Sequence, residues 1–298
     1  MTMDEIFGFL AQALMGSRDF RVLRRLDPDL PVLDWRKFPP SCMGVFVDCE
    51  TTGLDPDQDD IIELCILPFL FDNSGRIVAI GDAYISYNDT NRPISDRVMQ
   101  LTGIDIFTIC GIHIDRATVD AMVGRAAVVV AHNAAFDRKF LEHLSPVFAR
   151  LPWACSQTQI DWLAEGFEGQ KLAYLLAQIG YFYEAHSAGA DCLAGITLLA
   201  RMLPKSKRTG FDVLMEKALQ ASYRVWAVGA PFDLRLVLKA RGYRWDDGST
   251  GQPKAWHRDV AEGDKDAEIA WLRKVMNDLR YSPRVDRIEP AARFSARC

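Results

Sequence analysis

Asp48 and Glu50 stand one residue apart in the stretch Val45-Phe46-Val47-Asp48-Cys49-Glu50-Thr51-Thr52-Gly53. The stretch reads as a buried strand closed by a Gly turn. Strand side chains alternate faces, so Asp48 and Glu50 share one face while Val47 and Cys49 point into the core. Two ionised carboxylates side by side repel each other, and such a pair is tolerated where something positive sits between them. A hard divalent cation such as Mg²⁺ takes oxygen ligands of this kind. The plainer alternative is a turn-capping Asp48 and a solvated Glu50.

Three further stretches carry residues of the same chemistry. Ala131-His132-Asn133-Ala134-Ala135-Phe136-Asp137 is a strand end running into a helix, with Asp137 on the first turn, where the helix N-terminus favours negative charge. Ala185-His186-Ser187-Ala188-Gly189-Ala190-Asp191 sets a His and an Asp five positions apart across a loop entering a helix. Leu101-Thr102-Gly103-Ile104 is a turn that gains meaning only beside the others. Taken singly, each has a bland reading: a first-turn carboxylate or a loop histidine.

The elements that must position these residues are legible in outline. Ile6, Leu10 and Leu14 are spaced by four, and residues 1–40 read as a helical extension with a basic segment from Arg18 to Leu26 and prolines at 28, 31, 39 and 40. A packing extension is the plainer reading of this part, a basic arm on nucleic acid the alternative. After the opening strand, Ile61 to Phe71 is a continuous apolar run suited to a central strand. Asp72-Asn73-Ser74-Gly75 is a hairpin turn, and Arg76 to Tyr87 is expected to return as a third strand, completing an antiparallel meander. Helices are expected over Ser95–Leu101, Arg116–Val123, Asn133–Leu144, Leu172–Ile179 and Gly189–Leu203, with strands at Ala126–Ala131 and Ser156–Asp161. Three antiparallel strands followed by alternating helices and strands indicate an α/β fold with a mixed sheet covered by helices. The composition shifts near residue 204. Beyond it we expect a helix over Phe211–Ala221, a strand over Tyr223–Val228, a helix opened by Pro231, a hairpin over Tyr243–Val260 and a last helix from Asp264. The division expected is a helical extension (1–40), a first domain (41–204), a small basic α+β domain (209–280) and a disordered tail from about Ser282 (281–298).

The 298 residues are 49% hydrophobic and 25% charged, as in an ordinary globular protein. No apolar run reaches membrane-spanning length, and Asp4 and Glu5 stand where a leader would be basic, so neither a membrane span nor a signal peptide is expected. Seven cysteines, an odd number without a CxxC pair, fit reduced core thiols in a cytoplasmic protein. The net charge of −5 is unevenly placed. From Phe46 to Gly75 there are eight acidic residues and no base; from Arg201 to Arg258 there are twelve Lys or Arg against five Asp or Glu. A protein handling a polyanion through metal ions shows both features.

Read in order, Asp-x-Glu-Thr-Thr-Gly on the first strand, His-Asn-Ala-Ala-Phe-Asp after the fourth and His-x-x-x-x-Asp at a later helix make the sequence resemble the DEDDh 3′–5′ exonuclease family. The resemblance covers about residues 44–203. It implies a ribonuclease H-like fold and hydrolysis of single-stranded DNA or RNA from its 3′ end, releasing nucleoside monophosphates. It also implies two divalent ions, Mg²⁺ or Mn²⁺. By the same resemblance Asp48 bridges the ions, Glu50 and Asp191 complete one shell, and Asp137 holds the second. His186 would be the general base that takes a proton from the attacking water, as suits an imidazole, which ordinarily titrates near about 6.5. Thr51, Thr52 and Leu54 would line the terminal-nucleotide pocket, His132 and Asn133 would lie along the scissile strand, and Ile104 would press on a terminal base. Cys49 and Cys192, beside catalytic positions, are expected to be small buried hydrophobes.

The basic C-terminal region carries Tyr223, Trp226, Phe232, Tyr243, Trp245 and Trp256. Base stacking beside a basic groove is one use for such residues, and serving as the domain's own core is the other. Partners consistent with the whole are nucleic-acid 3′ ends and a polymerase or another replication or repair protein. A proofreading subunit, a non-catalytic nucleic-acid-binding scaffold on the same fold and a nucleotide phosphatase are the alternative functions.

Overall fold

The computed structural model describes residues 2–27, 29–249 and 251–297. Helix α1 (Met3–Met15) opens with a capping box in which the Thr2 hydroxyl accepts the Glu5 N–H and the Glu5 carboxylate accepts the Thr2 N–H. The helical pattern stops there. The basic segment is extended and forms a two-residue strand, β1 (Arg24–Arg25).

Strand β2 (Met43–Thr51) is the axis of the main sheet. β3 (Ile61–Phe71) pairs antiparallel with it on one side, and on the other lie the parallel β6 (Val128–Ala131) and β7 (Trp153–Cys155). β4 (Ile77–Ile80) and β5 (Tyr84–Tyr87) both pair with the outer edge of β3. The single strand expected over Arg76–Tyr87 is therefore broken. It breaks at Gly81, against which Trp35 packs so closely that an added Cβ would lie 2.7 Å from the Trp35 Cβ. The strand expected over Ser156–Asp161 is displaced to β7. Beyond it the Gln159 side chain accepts the Cys155 N–H at 2.7 Å and the Ser156 carbonyl accepts the Trp162 indole, so the chain turns.

Helices cover both faces. α4 (Arg116–Val123) and α5 (Ala134–Leu144) close one face over Val45, Val47, Leu64 and Ile66; α6 (Leu172–Gln178) and α7 (Ala188–Ala200) close the other over Phe46, Leu67 and Phe69. The short α2 (Asp96–Thr102) and α3 (Ile106–Ile109) flank the sheet end where β2 stops. α7 crosses β2 at Gly195, where an added Cβ would lie 2.1 Å from the Phe46 ring. Only glycine permits that approach. β8 (Tyr181–Phe182), just before α7, pairs in parallel with β1. The result is the expected ribonuclease H-like mixed sheet between helices.

Helix α8 (Gly210–Ala218) belongs to this core, not to the small domain that it was expected to open. Phe211 is fully buried with its ring 5.1 Å from Phe69 and 5.0 Å from Phe71. The small domain is a four-stranded antiparallel sheet of β9 (Ser222–Ala227), β10 (Arg244–Asp246), β11 (Ala255–Ala261) and β12 (Arg284–Ile288), in the order β10-β11-β9-β12. α9 (Arg235–Ala240) and α10 (Lys265–Val275) cover one face around Val225, Tyr243 and Leu272. The disorder expected from Ser282 is overturned. β12 pairs with β9, and the chain then returns to the main domain. There Trp153 N–H donates to the Pro290 carbonyl, Phe294 joins the core and the buried Arg138 guanidinium donates to the carbonyls of Arg293 and Ala291, at 2.6 Å each.

Candidate active site

β2, β6 and β7 run parallel, and the chemistry-bearing residues gather where they end, the edge at which open α/β sheets hold ligands. Asp48 and Glu50 lie on the α7 side of β2, and Asp191 comes down from the first turn of α7. Each of the three offers an oxygen within 4.8 Å of the others. Oxygen donors at that spacing fit a hard divalent cation. Asp137 enters from the first turn of α5, almost fully buried, and accepts the Cys49 backbone N–H at 3.2 Å and its thiol at 3.5 Å. Burial, then repulsion from Asp137, Asp191 and Glu50, pushes the Asp48 carboxyl well above the usual range. Burial with repulsion from Asp191 and Glu63 raises Glu50 to about 7, and burial raises Asp137 to about 7. A cation among them would relieve that repulsion. Cys49 and Cys192 are buried, as expected, with Cys192 Sγ against the Phe46 carbonyl at 3.6 Å.

His186 sits on the exposed loop before α7 in a left-handed conformation, φ 69°, and its backbone N–H donates to Asp191 Oδ2 at 2.9 Å. The other Asp191 oxygen accepts the Tyr183 hydroxyl at 2.7 Å. Glu63, on β3 opposite Glu50, accepts the first N–H of α7, that of Ala188, at 2.9 Å. It does so where the helix's own cap residue, Ser187, makes no side-chain bond. Neither Tyr183 nor Glu63 is among the residues expected from sequence. Glu63 carried a signal, as the single charge in the apolar run Ile61–Phe71; Tyr183 carried none.

A cavity of about 340 Å³ opens beside Glu50, lined by Thr51, Thr52, Leu54 and His186 and by Arg97, Val98, Leu101, Thr102 and Phe136. The two threonine hydroxyls are committed to the turn. Thr51 donates to the Gly53 carbonyl at 2.5 Å, and Thr52 donates to Asp59 while accepting the Asp60 N–H. Ile104 is not on this wall. Gly103 ends α2 in a left-handed turn, φ 72°, and Ile104 then packs inward on Ile62 and Ile109 with 3% of its surface exposed. Leu101, half exposed, presents the apolar surface in its place. Asn133 stands exposed at the start of α5 with φ 128°. His132 is spent on structure. One ring nitrogen meets Ser156 Oγ at 2.9 Å and the other the Gln170 carbonyl at 2.8 Å, and burial lowers the imidazole to about 4. The neutral ring therefore donates from Nε2 to Gln170 and accepts at Nδ1 from Ser156.

Compared with known families, residues 45–199, just over half of the chain, match RNase_T, described as Exonuclease. The chain belongs to this exonuclease family. The family is divalent-metal dependent, and the Asp48–Glu50–Asp191 trio is the acidic cluster that fits such an ion. Among curated proteins the exonuclease is similar to DNA polymerase III PolC-type of Thermotoga petrophila, 34% identical over 180 residues. That alignment covers 58% of this chain and 13% of the polymerase. The corresponding polymerase of Caldanaerobacter subterraneus subsp. tengcongensis is 27% identical over 202 residues, 64% of this chain and 14% of its own. The chain thus spans about an eighth of the length of these relatives. Among solved structures, E. coli Exonuclease I in complex with a 5cy-dT13 oligonucleotide matches with a TM-score of 0.51 and 13% identity, over 80% of this chain and 71% of that one. The zinc-bound E. coli ExoI–ssDNA complex matches with a TM-score of 0.50 and 15% identity, over 85% and 66%. At such identities the likeness is one of fold.

In the exonuclease's small domain several of the arginines are paired internally. Arg224 makes a two-pronged pair with Asp259 at 2.7 and 2.9 Å, Arg241 and Arg258 converge on the buried Glu268, and Arg284 pairs with Asp286. Trp226 and Tyr243 are core residues, whereas Phe232 and Trp245 stay exposed. Among the described residues no helix is long and apolar enough to cross a membrane.

Proposed function

We propose that this exonuclease removes nucleoside monophosphates from the 3′ ends of single-stranded nucleic acid. The observation that carries the reading is the carboxylate trio, of which Glu50 lines a cavity of about 340 Å³ that has His186 on its wall. Asp48, Glu50 and Asp191 would hold one divalent ion, Mg²⁺ or Mn²⁺, and Asp48 with Asp137 a second. Such ions, when bound, neutralise charge on the attacking and leaving oxygens of a phosphodiester. The protein's own share is positional. Val98, Leu101, Phe136 and the exposed Leu54 would enclose the terminal base and sugar, and the acidic wall would admit the phosphate only alongside cations. His186, solvent-facing beside Asp191, would accept the proton of the attacking water on an imidazole nitrogen, a role worth typically about 10²–10⁴-fold in rate.

DNA is the favoured polymer, since the solved relatives are DNA complexes and the curated ones are DNA polymerases. The same polymerase matches support a second reading, in which the chain edits 3′ ends beside a polymerase. The test is cleavage of matched 5′-labelled single-stranded DNA and RNA with Mg²⁺, with Mn²⁺ and with chelator, beside Asp48→Ala. A ladder shortening from the 3′ end, abolished by chelator and by the substitution, is the expected result. Binding without shortening under every condition would reject the enzymatic reading in favour of a scaffold.

A further inference from the structure

Asp191 is held by hydrogen bonds at both carboxylate oxygens, and only one of them comes from its own helix entry. The His186 backbone N–H reaches Oδ2; the Tyr183 hydroxyl reaches Oδ1 at 2.7 Å from a loop eight residues upstream. That loop is itself fastened. β1 lies in parallel against it, with the Arg24 N–H donating to the Gly180 carbonyl at 2.9 Å and the Leu26 N–H to the Phe182 carbonyl at 2.8 Å. Arg25 pairs with Glu184 at 3.1 Å and lies over the Phe182 ring. The Tyr183 ring packs against the core beneath α7. The N-terminal arm, the loop and the tyrosine thus form one chain of contacts ending on a carboxylate oxygen.

We propose that Tyr183 is a positioning residue for the metal-binding trio, its hydroxyl fixing Asp191 in the orientation that brings it within reach of Asp48 and Glu50. The proposal rests on the metal-site reading above. A ligand carboxylate lacking its outer hydrogen bond rotates more freely, and loss of such partners typically costs about 10–100-fold in metal affinity. Phenylalanine keeps the ring packing and removes only the donor.

The test is Mn²⁺ uptake by the full chain without nucleic acid, followed by calorimetry, together with melting temperature. In Tyr183→Phe the dissociation constant should rise about tenfold with the melting temperature nearly unchanged. An affinity within about twofold of wild type in folded Tyr183→Phe overturns the proposal. Because that variant could lose stability, a second measurement adds it to Asp191→Asn. If Tyr183 acts through Asp191, the pair is non-additive and the double variant binds as Asp191→Asn does; additive losses overturn the proposal. A wild type that takes up no Mn²⁺ rejects the metal site and this proposal with it, whereas normal uptake unaffected by Tyr183→Phe rejects this proposal alone.

Discussion

Burial, with repulsion from Asp191 and Glu63, pushes the Glu50 carboxyl up to about 7, and burial does the same to Asp137. In an unfolded chain such carboxyls titrate near about 4. Between those values the folded state binds more protons than the unfolded one, so stability falls as pH rises through the window and stays low above it. Divalent cations bind the ionised carboxylates of the folded state and offset the loss. In chelator the melting temperature should therefore decline from about pH 5 to about pH 7.5, excess Mg²⁺ should restore it at the upper end, and Glu50→Gln should flatten the decline. A flat profile in chelator would show that these carboxylates ionise without penalty. Arg97 is a different case, as the one Lys or Arg among the described residues lining the cavity. A guanidinium there can fork onto a phosphate oxygen pair. Arg97→Ala should raise KM for an oligonucleotide about five- to tenfold and leave kcat within about twofold, the mark of binding shared by ground and transition states. An unmoved KM would take Arg97 out of the substrate site.

At the scale of elements, the contact between α7 and β2 decides whether Asp191 reaches the trio. Gly195 is one turn beyond Asp191, and a Cβ there would lie 2.1 Å from the Phe46 ring. Gly195→Ala should cost about 1–3 kcal/mol in urea unfolding through overpacking. It should also lower turnover beyond what the lost stability explains, because the helix must move away from β2. Phe46→Leu in the same chain should recover part of both, and a fully active Gly195→Ala would show that α7 has slack. The elements near this contact were legible because their cause is local: alternation on β2, apolar spacing on α5 and α7, and carboxylates at strand and helix ends. Ile104 was misread because the register of a turn, and so which apolar side chain faces out, depends on the left-handed Gly103 and on packing against Ile62 and Ile109. Tyr183 gave no sign, since a hydrogen bond to Asp191 is set by how a loop is fastened from the N-terminal arm. β12 is a strand only because β9 lies beside it, across roughly sixty residues of chain, and Arg-Val-Asp-Arg-Ile alone does not report that pairing.

At the scale of the molecule, the two sheets are joined by the chain's own return. The expected boundary near Pro204 would remove Phe211 from between Phe69 and Phe71 and leave the main core open, so truncation there should yield an unfolded product. A milder cut, after Ile288, isolates the tail. It strips the Arg138 guanidinium of two carbonyl acceptors, the Trp153 N–H of one, and the core of Phe294. Arg138 keeps Glu142 at 2.6 Å, so the charge stays paired and the loss is one of hydrogen bonds and packing. With each of the two bonds to the charged guanidinium worth about 1.5–3 kcal/mol, the cut should cost roughly 3–6 kcal/mol. At about 2–4 °C per kcal/mol for a domain of this size, that lowers the melting temperature by roughly 10–15 °C. Arg287→Ala on exposed β12, whose partner Glu289 is equally exposed, serves as the control and should shift melting little. If the shortened chain melts with the full one, the tail adds nothing to the main core, and the small domain is joined to the exonuclease only through the chain that follows α8.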